Sequence, residues 1–215
     1  MKNNLLPAST ALSLVYGLCC EHYKSAPVIA AKVLSTFLLA YHSHLYHPNP
    51  LMTKALLAHC CGDLIIELSP HAVLCAIPAF LVGHLLYLWQ LKNSIILAKE
   101  INATKYVALS SIAVYSAYFT QLLASHTTGV VQGAVLFYCA ALTTLLAMTV
   151  LQKQNSTALF LSAALYIASD TLIGVNQFVG KIPGSNYATW GMYYAGQRCL
   201  KQLFETRTDD IAPTQ

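Results

Sequence analysis

Charge is what this sequence has least of: Asp, Glu, Lys and Arg together make up 9% of its 215 residues, against about 25% in soluble globular domains. Twelve basic and eight acidic side chains cover too little surface to keep a domain of this size in solution. An ordinary soluble fold is therefore excluded. Disorder is excluded by the 56% of hydrophobic residues, which would collapse out of water. Cysteine is also sparse for a disulfide-built module, and the seven at 19, 20, 60, 61, 75, 139 and 199 form no CxxC pairs of a zinc ribbon. Six of them lie inside or at the end of apolar segments, where cysteine packs as a small hydrophobe. HExxH, GxSxG and glycine-rich phosphate loops are absent, as are repeats, low-complexity tracts and interdomain linkers.

Long apolar runs are what the sequence does have. A helix crossing the roughly 30 Å hydrocarbon core needs about 20 mostly apolar residues. Runs bounded by polar, Pro or Gly breaks fall at about 5–20, 27–46, 51–68, 72–92, 105–125, 129–151, 157–178 and 186–204. The expected fold is all-α, a single-domain polytopic transmembrane bundle of eight helices. The first, second and eighth runs are shorter or more polar, so seven spans plus a surface helix is the alternative. Continuously apolar stretches such as AVLCAIPAFLVGHLLYLW lack the two-residue alternation of a membrane β-barrel. The first run follows only Lys2 and lacks a small-x-small cleavage pattern, so it is read as a retained span rather than a signal peptide.

Basic residues collect on the cytoplasmic side of membrane proteins. With eight spans, one side carries Lys2, Lys54, Lys92, Lys99, Lys105, Lys153, Arg198, Lys201 and Arg207, and the other only Lys24 and Lys181. Both termini are expected in the cytoplasm.

Against this background a few ionisable residues stand within apolar segments: Lys32, Asp63, Glu67, His84 and Asp170. Each Asp or Lys near the bilayer centre costs about 2.5–3.5 kcal/mol on insertion scales, so such groups face a bundle interior or a wet cavity. Asp63 and Asp170 stand on segments that cross in the same direction, at similar depth on the non-cytoplasmic side. Lys32 enters the same half, and His84 lies near the midplane. His59, Asp63 and Glu67 recur every four residues and share a helical face. Gly62 lets a neighbouring helix or a substrate come close. In WGMYYAGQRCL, Tyr193 or Tyr194 shares a face with Gln197 and can hydrogen-bond a carboxyl or a lipid head group. The competing assignments are structural. Either aspartate can lock helices together, Glu67 can be interfacial, Lys32 can snorkel outward, the histidines can pack, and Trp190, Tyr193 and Tyr194 can form an interfacial belt. The run His42, His44 and His47 has a spacing compatible with a metal, but its place before two prolines favours an interfacial turn.

The pieces KVLSTFLLA around Lys32, CGDLIIEL with Gly62 and Asp63, FLVGHLLYL with His84 and Tyr87, ASDTLIGVNQF with Ser169, Asp170 and Phe178, and YYAGQ ending at Gln197 resemble, in order and spacing, the YhhN-like lysoplasmalogenase family of eight-span membrane proteins. One departure is Lys32-Val33, where the family commonly has Lys-Pro. The resemblance implies hydrolysis of the vinyl-ether bond of lysoplasmalogens to a fatty aldehyde and glycerophosphoethanolamine or glycerophosphocholine. The partners implied are a lysophospholipid substrate and membrane lipids, with no cofactor, no metal and no nucleic acid. The implied setting is a bacterial inner membrane or a eukaryotic endomembrane. Vinyl-ether hydrolysis needs an acid, an anion and a positioned water, as in the two-carboxylate logic of glycosidases. Asp63 and Asp170 are the expected catalytic pair, their acid and base roles open. Lys32, Glu67, His84, Tyr193, Tyr194 and Gln197 are the expected binding or supporting residues. The rival functions are a small-molecule or lipid transporter, which would also keep ionisable groups near the midplane, and a membrane zinc hydrolase using the histidines.

Overall fold

The computed structural model describes residues 4–22, 25–46, 49–68, 73–97, 100–154 and 156–209. These form eight α-helices in chain order: α1 (Leu5–Cys19), α2 (Ala26–Tyr46), α3 (Pro50–Leu68), α4 (Val73–Leu91), α5 (Ala103–Ser125), α6 (Gly129–Val150), α7 (Ser156–Gly174) and α8 (Ser185–Asp209). A 3-10 turn, Lys92–Ser94, follows α4, and a π-helical turn, Val175–Val179, extends α7. The eight apolar runs of the sequence correspond one to one with these helices. The main departure is α8, which continues past residue 204 to Asp209.

Local chemistry explains several boundaries. Asn49 accepts the Met52 N–H at 3.1 Å and Pro50 takes the first helical position of α3, where a missing N–H costs nothing. Asn102 caps α5 in the same way through the Lys105 N–H at 3.0 Å. Pro78 lies inside α4 and releases the Leu74 carbonyl from its helical bond. The α4–α5 and α6–α7 connections are tied by an antiparallel bridge between Ile95 and Gln152, reinforced by the Lys105 ammonium, which donates to the carbonyls of Val150 and Gln152.

Among the described residues, five segments are long and apolar enough to cross a membrane: Ala26–Tyr46, Val73–Ser94, Ala103–Ser125, Gly129–Val150 and Ser156–Val179. At 15 residues α1 is shorter. α3 and α8 fall outside that set because they carry Lys54, His59, Asp63 and Glu67, and Arg198, Lys201 and Glu205, respectively. The distribution of polarity is that of a lipid-embedded bundle. Val130 and Leu18 are 90% and 77% exposed, while Lys32, His59, Asp63, His84, Asp170 and Gln197 are buried. In lipid the apolar exterior is solvated and the polar interior must be satisfied by its own neighbours. Lys2, Lys24, His47, Lys99 and the side chain of Arg207 lie outside the described residues. Lys201, on the basic side of the sequence, is buried and donates to Glu205 at 2.7 Å and to His42 Nδ1 at 3.0 Å. That buried cluster draws the end of α8 into the bundle.

A close backbone contact joins α7 to α8. A Cβ on Gly196 would stand 2.8 Å from the Ser162 carbonyl oxygen and 2.9 Å from the Tyr166 nitrogen. Backbone atoms cannot swing aside, so Gly196→Ala is expected to part the two helices and cost about 1–3 kcal/mol. Thermal unfolding in detergent should show a lowered midpoint. Gly133→Ala on α6, where a Cβ would meet open space, should not.

Candidate functional site

The packing of α2 against α3 builds the first half of the site. The two helices run antiparallel, so residues four apart on one meet residues four apart on the other. Lys32 meets Glu67, with the ammonium 2.8 Å from Oε1, and one turn along Thr36 donates to Asp63 Oδ2 at 2.7 Å. Tyr16 of α1 donates to the same Glu67 oxygen at 2.7 Å, and Tyr193 of α8 donates to Asp63 Oδ2 at 2.9 Å. Tyr16, Lys32, Asp63, Glu67 and Tyr193 line a chamber of about 330 Å³. The π-helical turn after α7 adds Asn176 and Gln177 to its wall, and Lys181 stands exposed at its rim. A π-turn shifts side chains out of α-helical register and is a frequent device at functional sites.

Asp170 of α7 occupies the second half. Its Oδ2 accepts the Tyr138 hydroxyl at 2.6 Å and lies 3.4 Å from His84 Nε2. It faces an apolar slot between α4, α5, α6 and α7, lined by Phe80, Phe119, Leu142, Ile167 and Phe178 among others. The chamber and the slot share the side chains of Ile66, Val73, Phe80 and Ile173 as a common wall. Gly62 is the glycine that permits this wall. A Cβ there would fall 2.7 Å from the Phe80 ring, so the ring of α4 takes the space beside Asp63.

Behind that wall the two halves are linked by aromatic rings. Tyr193, which holds Asp63, lies 5.4 Å from Tyr166, and Tyr166 lies 5.1 Å from His84, which faces Asp170. His59 is within 5.4 Å of His84, Tyr87 and Tyr166. Its Nδ1 is 2.7 Å from the Ala55 carbonyl, to which it donates. His59 Nε2, Tyr166 Oη, Ser169 Oγ and Gln197 Nε2 are buried without a hydrogen-bond partner among the described residues. Buried polar atoms of that kind take ordered water or a ligand as partner.

The remaining expected residues are placed differently. Tyr194 shares a 2.6 Å hydrogen bond with Ser9, so it ties α8 to α1. Gln197 accepts the Tyr87 hydroxyl deep in the bundle and lines neither cavity. Trp190 is buried and donates to the Ser13 carbonyl at 2.9 Å, so it stands inside the bundle with Tyr193 and Tyr194 and not in an exterior belt. His42 is engaged with Lys201, a cation that opposes a metal at the same nitrogen. Among the described residues no three His, Cys, Asp or Glu side chains come together as a metal site. All seven cysteines are free thiols. Sequence reasoning missed Tyr16, Thr36 and Tyr138, which hold the three carboxylates. Their signal was weak, because a single hydroxyl in an apolar segment is common. Only the four-residue step from Lys32 to Thr36, matching that from Asp63 to Glu67, pointed to one of them.

Fold and site together define a polytopic helical membrane protein whose bundle encloses an acid-lined chamber beside an apolar slot. The model of the YhhN family matches residues 25–203, and the chain belongs to that family. No curated protein and no solved structure matches it.

Proposed function

We infer that the protein is an integral membrane lysoplasmalogenase. It would hydrolyse the vinyl-ether bond of lysophospholipids to a fatty aldehyde and the glycerophospho-alcohol, with all eight helices spanning the membrane and both termini in the cytoplasm. The observation that carries this reading is the shared wall. A polar chamber with Asp63, Lys32 and Glu67 lies against an apolar slot with Asp170. A single-chain ether lipid has the same division, with a charged head, an apolar tail and the reactive bond between them.

The chemistry follows from the placement. The alkenyl chain lies in the slot, which sets its β-carbon beside Asp170, and the head group and water lie in the chamber beside Asp63. Asp170, the carboxyl that faces the slot, gives its proton to the β-carbon, and the vinyl ether becomes an oxocarbenium ion. Asp63, an anion in the chamber of Lys32, stabilises that cation and accepts a proton from the water that attacks the α-carbon. The resulting hemiacetal collapses. Its hydroxyl proton returns to Asp170, and Asp63 delivers its proton to the departing glycerol oxygen. One water is consumed and both carboxyls end as they began. His84 and Tyr138 orient Asp170, and Thr36 and Tyr193 orient Asp63.

Product analysis in D2O tests this directly. A 1-alkenyl lysolipid should release an aldehyde carrying one deuterium on carbon 2, and the matching 1-acyl ester should be left intact. Ester cleavage at comparable rate, or aldehyde without deuterium, would overturn the reading. A transporter would instead give substrate flux in proteoliposomes with no aldehyde. The slot makes a further expectation. Ala76 is buried in its wall, so Ala76→Phe should raise KM for long alkenyl chains several-fold more than for short ones, which initial rates on a chain-length series will show.

A further inference from the structure

The ammonium of Lys32 is held as an organic cation is held in a ligand site. It lies 5.2 Å from the centroid of the Tyr16 ring and 5.7 Å from that of Trp190, and its counterion is Glu67 at 2.8 Å. The two rings meet edge to face with centroids 4.6 Å apart and form two sides of a cage. Both are fixed: Tyr16 by its bond to Glu67, and Trp190 by its bonds to the Ser13 carbonyl and hydroxyl. Aromatic faces with a carboxylate are the usual recognition set for primary and quaternary ammonium ions. The cage opens into a chamber that has room for more than a lysine head, about 330 Å³.

We propose that this cage is the subsite for the ammonium of a zwitterionic phospho-amine head group, and that Lys32 occupies it only while substrate is absent. On binding, the Lys32 ammonium swings on its flexible stem to the phosphate and the ligand's ammonium takes its place between Tyr16, Trp190 and Glu67. One internal ion pair becomes two intermolecular ones, and no charge is left unpaired in the interior. An anionic head group lacks the second half of that exchange. The Lys32–Glu67 ion pair would then be given up with no ligand ammonium to take its place in the cage. The site therefore selects zwitterionic over anionic head groups of similar size. The proposal deepens the lysoplasmalogenase reading and rests on it for the identity of the phosphate ligand.

Trp190 itself reports the exchange. The chain has two tryptophans, and Trp89 lies on the exposed side of α4 beneath Lys92. Trp89→Phe therefore leaves Trp190 as the sole indole emitter. In that background Lys32→Ala empties the cage, and choline chloride should change Trp190 emission saturably, with a half-saturation at least tenfold below that of the protein with Lys32 in place. Sodium chloride at equal ionic strength should not. Adding Glu67→Gln should remove the saturation. An equal half-saturation with and without Lys32, or binding that survives Glu67→Gln, would overturn the proposal. The Trp89→Phe protein alone gives a second test that does not depend on the folding of the Lys32 variant. Glycerophosphocholine should bind at least tenfold more tightly than the similarly sized anion glycerophosphoglycerol, and equal or reversed affinity would overturn the proposal. Both are binding measurements, so a protein that binds choline in this way without hydrolysing any vinyl ether retires the hydrolase and keeps the cage. Hydrolysis without choline binding retires the cage alone.

Discussion

Asp170→Asn is expected to lower kcat on a 1-alkenyl lysolipid by about 10³-fold with little change in KM, a loss within the range for removing a general acid. Asparagine keeps the size of the side chain and a carbonyl to accept the Tyr138 hydroxyl, now 2.6 Å from the carboxylate. It cannot give a proton to carbon. Asp63→Asn should lower kcat by about 10²-fold, since water retains some reactivity toward an oxocarbenium ion without a base. Tyr138→Phe should cost about tenfold, the scale of one hydrogen bond lost as charge develops on Asp170 in the transition state. The ordering matters more than the values. Single-turnover rates measured on variants that elute as the parent protein does in detergent will show whether Asp170 stands above Asp63 and Tyr138. Near-normal turnover by the Asp170 variant would remove it from the mechanism, and with it the assignment of the slot to the alkenyl chain.

The elements of the fold were legible because a membrane helix is written as one long apolar run, and each run here became one helix. The end of α8 was less so. Lys201 counted only as a basic residue of the cytoplasmic side, whereas the structure buries it with Glu205 against His42 of α2, a partner far away in the chain. The site was legible wherever the membrane makes polarity expensive. Asp63, Asp170, Lys32 and Glu67 were visible because an ionisable group in an apolar run has few reasons to be there. What the sequence could not convey is which group faces which. The Asp63 and Asp170 carboxyls look like one pair by depth, yet they line two different cavities that meet at Ile66, Phe80 and Ile173. Tyr193 and Tyr194 are adjacent in sequence, and helical geometry turns them about 100° apart. One consequently reaches Asp63 and the other reaches Ser9. The hydroxyls of Tyr16 and Tyr138 gave no periodic signal at all, since their partners stand on other helices.

The Lys32–Glu67 pair carries the second large expectation. Both side chains are more than nine-tenths buried, so neither charge has bulk water to fall back on. Removing one partner of such a pair costs about 3–5 kcal/mol because the other stays behind in a low-dielectric setting. The chamber reduces that figure here, since water can enter it, and about 2–3 kcal/mol is expected for Lys32→Met. The surviving Glu67 retains the Tyr16 hydroxyl but loses the Lys32 ammonium. Replacing both residues, Lys32→Met with Glu67→Met, should recover most of the loss, because two apolar side chains of similar length leave no charge to solvate. The quantity to measure is the coupling energy from a double-mutant cycle, read from equilibrium unfolding in mixed detergent micelles. A coupling of about 2 kcal/mol identifies a pair that is buried and mutually dependent. A coupling near zero is the value of a surface pair, and it would mean that the Lys32 head is fully wetted at rest. Activity distinguishes the pair from a purely structural lock: the double variant should regain stability while kcat/KM stays depressed, since neither a cation for phosphate nor an anion for ammonium remains in the chamber.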